Sequence, residues 1–217
     1  MPIPDSPAVY QLRIRLDRIS PMVWRRLLVR DTTTIAELHT IIQLAFGWSD
    51  SHLHRFLIHG KSYGIAYLGG MTFADDPDQV HLADFRFRAG ECFTYEYNFH
   101  IPWRHQIRVE QILSPAPGHH YPLCVGGARA APPEECDGPH TFLALRQRYH
   151  PHELIERLLA LIDDPDAHHD PYDELRTLQY WAAVNRCDRR AINRQLRHEQ
   201  MATSETEACA CSSPCSL

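Results

Sequence analysis

The sequence predicts an α+β protein built on an antiparallel sheet, and three observations carry that expectation. The front of the chain alternates apolar and polar residues with period two, in the segments 9–18, 23–29, 52–58, 92–99 and 103–112. One helical stretch, opened by Thr34 and closed by Gly47, interrupts these strands. After about residue 140 the pattern turns helical to residue 196. Strands grouped first and helices grouped last point to α+β, because a parallel α/β sheet would alternate them throughout.

The bulk properties bound the function. The chain has 217 residues, 44% hydrophobic and 23% charged, which suits one soluble domain. No apolar run is long enough to span a bilayer, and the first residues lack the basic and apolar regions of a secretory signal, so a cytoplasmic location is expected. Seven cysteines fall at 92, 124, 136, 187, 209, 211 and 215; the odd count argues against a disulfide framework. The net charge of -5 gives no global attraction to nucleic acid. Lys61 is the lone lysine, so the cations are nearly all arginine, the better residue for carboxylate and phosphate.

Each element has its local reason. In 9–18, Tyr10, Leu12, Ile14 and Leu16 face one way, while Gln11, Arg13, Arg15 and Asp17 face the other. A turn at Ser20-Pro21 lets Val23 to Val29 return as the second strand. Thr34-x-x-Glu37 is a capping box; Ile35, Leu38, Ile41, Ile42, Ala45 and Phe46 form the apolar face, and Gly47 ends the helix. His54, Phe56 and Ile58 share one face of the next strand, and a short strand is expected over 80–85. Phe93, Tyr95, Tyr97 and Phe99, then Trp103, His105, Ile107 and Val109, give a hairpin with an aromatic core face. Helices are expected over 142–148, over 152–162 with Leu154, Ile155, Leu158, Leu159 and Ile162 inward, over 174–184, and from an Asp188 cap through Leu196. The divisions are a lead over 1–8, one domain over 9–199, and a disordered Cys/Ser-rich tail over 200–217.

Tyr121 to Gly138 combines two cysteines, three glycines, three prolines and Glu134-Glu135, so it reads as a long functional loop. Cys124 and Cys136, flanked by His119, His120 and His140, are candidate ligands for zinc. Glu134 and His105 are candidates for acid–base work. Pro132-Pro133-Glu134 is expected to be a rigid corner on the hairpin, with Gly126 and Gly127 in conformations other residues resist and Arg129 paired to Glu134 or Glu135. Arg129, Glu134 and Trp103 are candidate binding residues there. Two arginine groups could track phosphates: Arg13, Arg15, Arg18, Arg25, Arg26 and Arg30 near the front, and Arg186, Arg189, Arg190, Arg194 and Arg197 on the last helix, with Arg189 and Arg190 the foremost candidates. Cys209-x-Cys211 with Cys215 could grip a soft metal.

Taken together, these blocks resemble the plasmid pRiA4b ORF-3-like family over Tyr10 to Leu196. The resemblance rests on Ile19-Ser20-Pro21 with Val23-Trp24-Arg25-Arg26, on Phe46-Gly47-Trp48 with His52-Leu53-His54-Arg55-Phe56, and on Phe93-Thr94-Tyr95-Glu96-Tyr97 with Trp103-Arg104-His105. Most specific is Tyr121-Pro122-x-Cys124, then Arg129-Ala130, Pro132-Pro133-Glu134 and Cys136-x-Gly138. The chain departs from the family at Asn98-Phe99-His100-Ile101-Pro102, Ala131 and Asp137. The resemblance implies a curved antiparallel sheet and an occurrence on plasmids and transposable elements. The expectation is therefore a binding or accessory protein whose partner is DNA or protein of a mobile element. The alternative is a metal-dependent or acid–base enzyme acting at 121–138. No recombinase core, phosphate loop or His-Glu-x-x-His motif is present.

Overall fold

Seven strands form a single antiparallel sheet in the computed structural model, which describes residues 7–64, 73, 75–164 and 170–210, with only the backbone of 203–210. The strands are β1 (Val9–Leu16), β2 (Trp24–Arg30), β3 (His54–Ile58), β4 (Lys61–Tyr63), β5 (Cys92–Tyr97), β6 (Trp103–Leu113) and β7 (Leu123–Ala128). Their order is β4-β3-β5-β6-β1-β2-β7. Register shifts at Gln11/Leu12 and Arg26/Leu27 mark bulges, which bend and twist a strand. The α+β expectation holds, with both hairpins where the alternation put them.

Helix α1 (Ile35–Phe46) follows the first hairpin, as expected. Its capping box is complete: Glu37 N–H donates to Thr34 Oγ1 at 3.1 Å and Thr34 N–H to Glu37 Oε2 at 2.8 Å. Gly47 closes it at φ 70°, the left-handed region that favours glycine. The apolar face of α1 joins the sheet's inward residues in one core with Leu12, Ile14, Leu27, Phe56, Tyr95 and Trp103, all fully buried or nearly so.

The C-terminal part comprises α2 (Gly138–Arg148), α3 (Pro151–Asp163), α4 (Pro171–Ala183) and α5 (Arg189–Ala210). Asn193 of α5 holds β7 through both its amide groups: Cys124 N–H donates to Oδ1 at 2.7 Å, and Nδ2 donates to the Cys124 carbonyl at 3.0 Å.

Several expectations need correction. The strand over 80–85 is instead a short 3-10 turn, Leu82–Phe85, because Leu82 and Ala83 N–H donate to the carbonyls of Thr33 and Asp31. The loop 121–138 contains β7, paired to β2. Gly126 and Gly127 lie inside that strand, and close packing requires the second: a Cβ on Gly127 would stand 2.6 Å from Cys187 Sγ, whereas one on Gly126 would meet its neighbours in ordinary contact at 3.4 Å. The residue in that stretch with left-handed φ that is not glycine is Arg129, at 67°. On α3, Ile155 is 60% exposed, Leu159 54% and Ile162 64%, so most of the expected stripe faces solvent; Leu154 is half-buried against the core, and Leu161 is the buried residue. Helix α5 continues to Ala210, past the point where an irregular tail was expected. The metal-binding expectation for the tail falls on residues 209, 211 and 215, whose side chains lie outside the described residues.

Candidate functional site

The sheet has one face in the core and one open to solvent, and alternation sorts the residues between them. Leu12, Ile14 and Leu16 of β1 go inward, while Arg13 and Arg15 face out. The same rule puts Trp24 and Arg26 of β2, Arg55 of β3, and Arg104, Gln106 and Arg108 of β6 on the open face. Register then aligns them. Arg26, Arg13 and Arg108 are directly opposite one another across β2, β1 and β6. The row beside it runs Trp24, Arg15, Gln106 and Thr94, and a third runs Arg55, Glu96 and Arg104. Glu96 meets Arg55 at 2.7 Å and Arg104 at 3.6 Å; Glu110 meets Arg26 at 2.5 Å, and Asp17 meets Arg15 at 3.4 Å. Arg13 donates to Met22 Sδ at 3.7 Å and Arg108 to Cys92 Sγ at 3.5 Å, both weak acceptors. The guanidinium groups of Arg13 and Arg26 stack on Trp24 at 5.1 and 5.3 Å.

Arg25 goes the other way. Period two places it with Val23, Leu27 and Val29, and it is 3% exposed. It donates to the carbonyls of Ala45 (2.9 Å), Trp24 (2.8 Å), Ala128 (3.3 Å) and Arg129 (2.9 Å). It is therefore removed from the phosphate-tracking group and serves as an internal tie between α1, β2 and the end of β7.

A second polar centre lies under the turn from α1 to β3. His39 and Gln43 project from the buried face of α1 and Tyr95 from β5, while Asp50 sits in the turn at φ 58°. Gln43 Nε2 donates to the Tyr95 hydroxyl at 2.8 Å, and Asp50 N–H donates to Gln43 Oε1 at 3.2 Å. His39 Nδ1 is 2.8 Å from the Tyr95 hydroxyl and Nε2 is 2.7 Å from Asp50 Oδ1. An ionised carboxylate only accepts, so His39 Nε2 carries the proton and Tyr95 donates to Nδ1. The four residues thus close a ring of hydrogen bonds. Burial holds the imidazolium pKa of His39 down to about 4 and that of His54, stacked on it at 3.5 Å, down to about 3.

Glu134 fastens the same turn from the other side. Its carboxylate accepts from Ser49 N–H (2.6 Å), Ser49 Oγ (2.8 Å), Ser51 Oγ (2.9 Å) and the Tyr97 hydroxyl. Burial pushes its pKa up, but the bonds from Tyr97, Ser49 and Ser51 outweigh it and hold it at about 2. A carboxylate so held is a structural anchor near neutral pH rather than a proton shuttle. The Pro132-Pro133-Glu134 corner is tied on two sides, by Trp48 Nε1–H donating to the Pro132 carbonyl at 2.9 Å and by the Tyr97 hydroxyl of the hairpin donating to Glu134.

The remaining residues singled out from the sequence are dispersed. Arg129 Nη1 donates to the Met22 carbonyl at 2.9 Å, while Glu134 takes Ser49, Ser51 and Tyr97, so the expected pairing of the two is not formed. His105 and Trp103 are fully buried in the aromatic core, away from solvent, and Glu134's bonds go elsewhere. Cys124 is buried and Cys136 half-buried; burial pushes both thiols up, Cys136 to about 11. His119 and His140 are exposed. Among the described residues, the cluster of three metal-ligating side chains is His39, Asp50 and His54, not the cysteine set. Arg189 Nη1 donates to the Val125 carbonyl at 2.9 Å, and Arg190, Arg194 and Arg197 are exposed along α5. His39 and Gln43 were visible in the sequence as polar residues interrupting the apolar stripe of α1; Asp50 and Ser51 had no such signal.

Fold and site together define an α+β protein with a helix-covered sheet, one open arginine-bearing face and a polar centre beneath the α1–β3 turn. The chain belongs to the plasmid pRiA4b ORF-3-like protein family, whose model matches residues 8–183. It is 31% identical over 136 residues to the uncharacterized protein y4hQ of Sinorhizobium fredii, covering 61% of this chain and 68% of that one. The crystal structure of MM3350 from Methanosarcina mazei, a protein of unknown function, is similar with a TM-score of 0.61 at 31% identity, covering 77% of this chain and 97% of that one. Among the described residues no helix is long and apolar enough to cross a membrane.

Proposed function

We propose that this chain is a nucleic-acid-binding accessory protein of mobile elements, and that it binds single strands on the open face of its sheet. The observation that carries this reading is the row Arg26, Arg13 and Arg108 on three adjacent strands. Like charges directly opposite one another destabilise a sheet. Glu110 offsets Arg26, whereas Arg13 and Arg108 bond weak sulfur acceptors, and a phosphate backbone lying across those two would turn their repulsion into attraction. Trp24, already stacked by two arginines, offers a ring on which a base can take their place. An open strand face with basic and aromatic residues suits an unpaired strand better than a duplex groove, which admits a helix or a narrow ribbon.

The test is fluorescence anisotropy with labelled single-stranded and duplex oligonucleotides at low salt. The double variant Arg13→Ala with Arg108→Ala should weaken single-strand binding and lower the salt slope by about 1.4, since each lost phosphate contact removes about 0.7. Arg189→Ala with Arg190→Ala, on α5, should change it little. A wild-type protein indifferent to single strands at low salt, or stronger dependence on the α5 pair, would remove this reading.

A further inference from the structure

We propose that His39, Asp50 and His54 form a binding site for a divalent transition-metal ion of the zinc class. The ligating atoms of the three side chains lie within 4.8 Å of one another. Two imidazoles with one carboxylate are an established donor set for zinc, and they leave a coordination position open. The independent observation is His54. It is 6% exposed, and among the described residues its Nε2 has no hydrogen-bond partner. Buried polar atoms are nearly always satisfied, so an orphan beside two other ligands calls for an occupant.

The surroundings fit such an occupant. His39 turns Nε2 toward Asp50 and holds Nδ1 against the Tyr95 hydroxyl, which Gln43 fixes in turn. Metal-bound histidines donate their other ring N–H to such a partner, so the His39–Tyr95 bond would reverse direction when Nε2 takes the ion. Asp50 has a side chain 53% exposed, which gives the ion an entry path. Ser49 and Ser51, on either side of Asp50, are tied down by Glu134, so the ligand-bearing turn is braced.

Binding has two geometric requirements. The His39 and His54 rings are nearly parallel, 8° apart at 3.5 Å, and stacked rings cannot aim in-plane lone pairs at one ion. His54 therefore rotates on binding. His39 exchanges its Nε2 proton for the metal and carries one on Nδ1, facing Tyr95. The change is one of tautomer, with both rings neutral before and after.

The experiment uses the full chain without a histidine tag. Zinc and cobalt binding are measured by equilibrium dialysis, with the cobalt visible spectrum and nitrogen NMR of the imidazoles as second readouts. The wild type should take one ion per chain, with a His39 tautomer change. Asp50→Asn and His54→Gln should each weaken binding about 10-fold or more. Cys124→Ser with Cys136→Ser should leave it unchanged. Asp50 is exposed enough that Asp50→Asn keeps the test sound if His54→Gln fails to fold. Binding below one ion per chain, binding insensitive to Asp50→Asn, or binding abolished by the cysteine pair would overturn the proposal.

Discussion

Arg25 carries a charge into the core and meets it with four main-chain carbonyls rather than a carboxylate. One of them, Ala45, lies in the last turn of α1, where the helix dipole favours a cation. Burial draws its pKa down, yet an arginine remains protonated. Arg25→Met should leave these carbonyls without donors and cost about 3 kcal/mol or more, roughly 6–12 °C in Tm for a chain of this size. Arg25→Lys should recover little of that, because an ammonium cannot reproduce the spread of a guanidinium. Thermal unfolding of both variants checks this; a full rescue by lysine would show that charge alone matters. The position of Arg25 was legible in the sequence, since alternation aligns it with Val23, Leu27 and Val29. Reading it as one of a basic pair hid that. Glu134 was legible as an important residue but its partners were not. Ser49 and Ser51 come from a turn some 85 positions earlier and Tyr97 from a strand 37 positions earlier, and no local pattern announces contacts at such separations.

At the scale of elements, helices α1 and α3 teach opposite lessons. Both have an apolar stripe at helical spacing, and the sequence reading sent both inward. Helix α1 has a sheet to cover, whereas α3 packs beside α4 with its outer side in solvent. Periodicity identifies a helix and its apolar face, but not whether another layer exists to receive that face. Leu161→Ala should therefore cost about 2–5 kcal/mol, while Ile162→Gln should stay within about 0.5 kcal/mol. Equal losses in denaturant titrations would mean that both face a core. The strand β7 was missed for a related reason. Two adjacent glycines argue against a strand, and the closeness of Cys187 and of the Trp24 carbonyl explains Gly127 in tertiary terms that no local pattern shows.

For the whole molecule, pH dependence follows from neutral imidazoles in the core. His105 is fully buried, and burial, with Arg25 adding to it, pulls its pKa down to about 3. Its folded value lies below the unfolded one, near 6.5, so the unfolded chain binds the extra proton. The stabilisation is whole above that unfolded value and is lost as pH falls toward 3, at about 1.4 kcal/mol per pH unit from this one residue. Glu134 has the same sign in a lower window: its contribution is complete above about 4.5 and fades as pH falls toward 2. Urea midpoints between pH 7 and pH 4 should decline steeply in the wild type and less steeply in His105→Leu. Identical slopes would exclude His105 as a source.

The grip of Asn193 on Cys124 has a consequence for solubility. Beta sheets grow by recruiting strands to an unpaired border, and a side-chain amide offering one donor and one acceptor satisfies the border as a neighbouring strand would. The opposite border, β4, is three residues long and begins with Lys61, a poor template for recruitment. A chain ending before α5 would bare the β7 border together with the part of the core that Ile192 and Leu196 cover, so Asn193→Leu in the full chain is the variant that isolates the border. The shortened chain should assemble into thioflavin-positive aggregates at concentrations where the full chain stays monodisperse, and Asn193→Leu should move partway there. Light scattering that shows both versions equally dispersed would mean that the last helix is not what keeps this sheet finite.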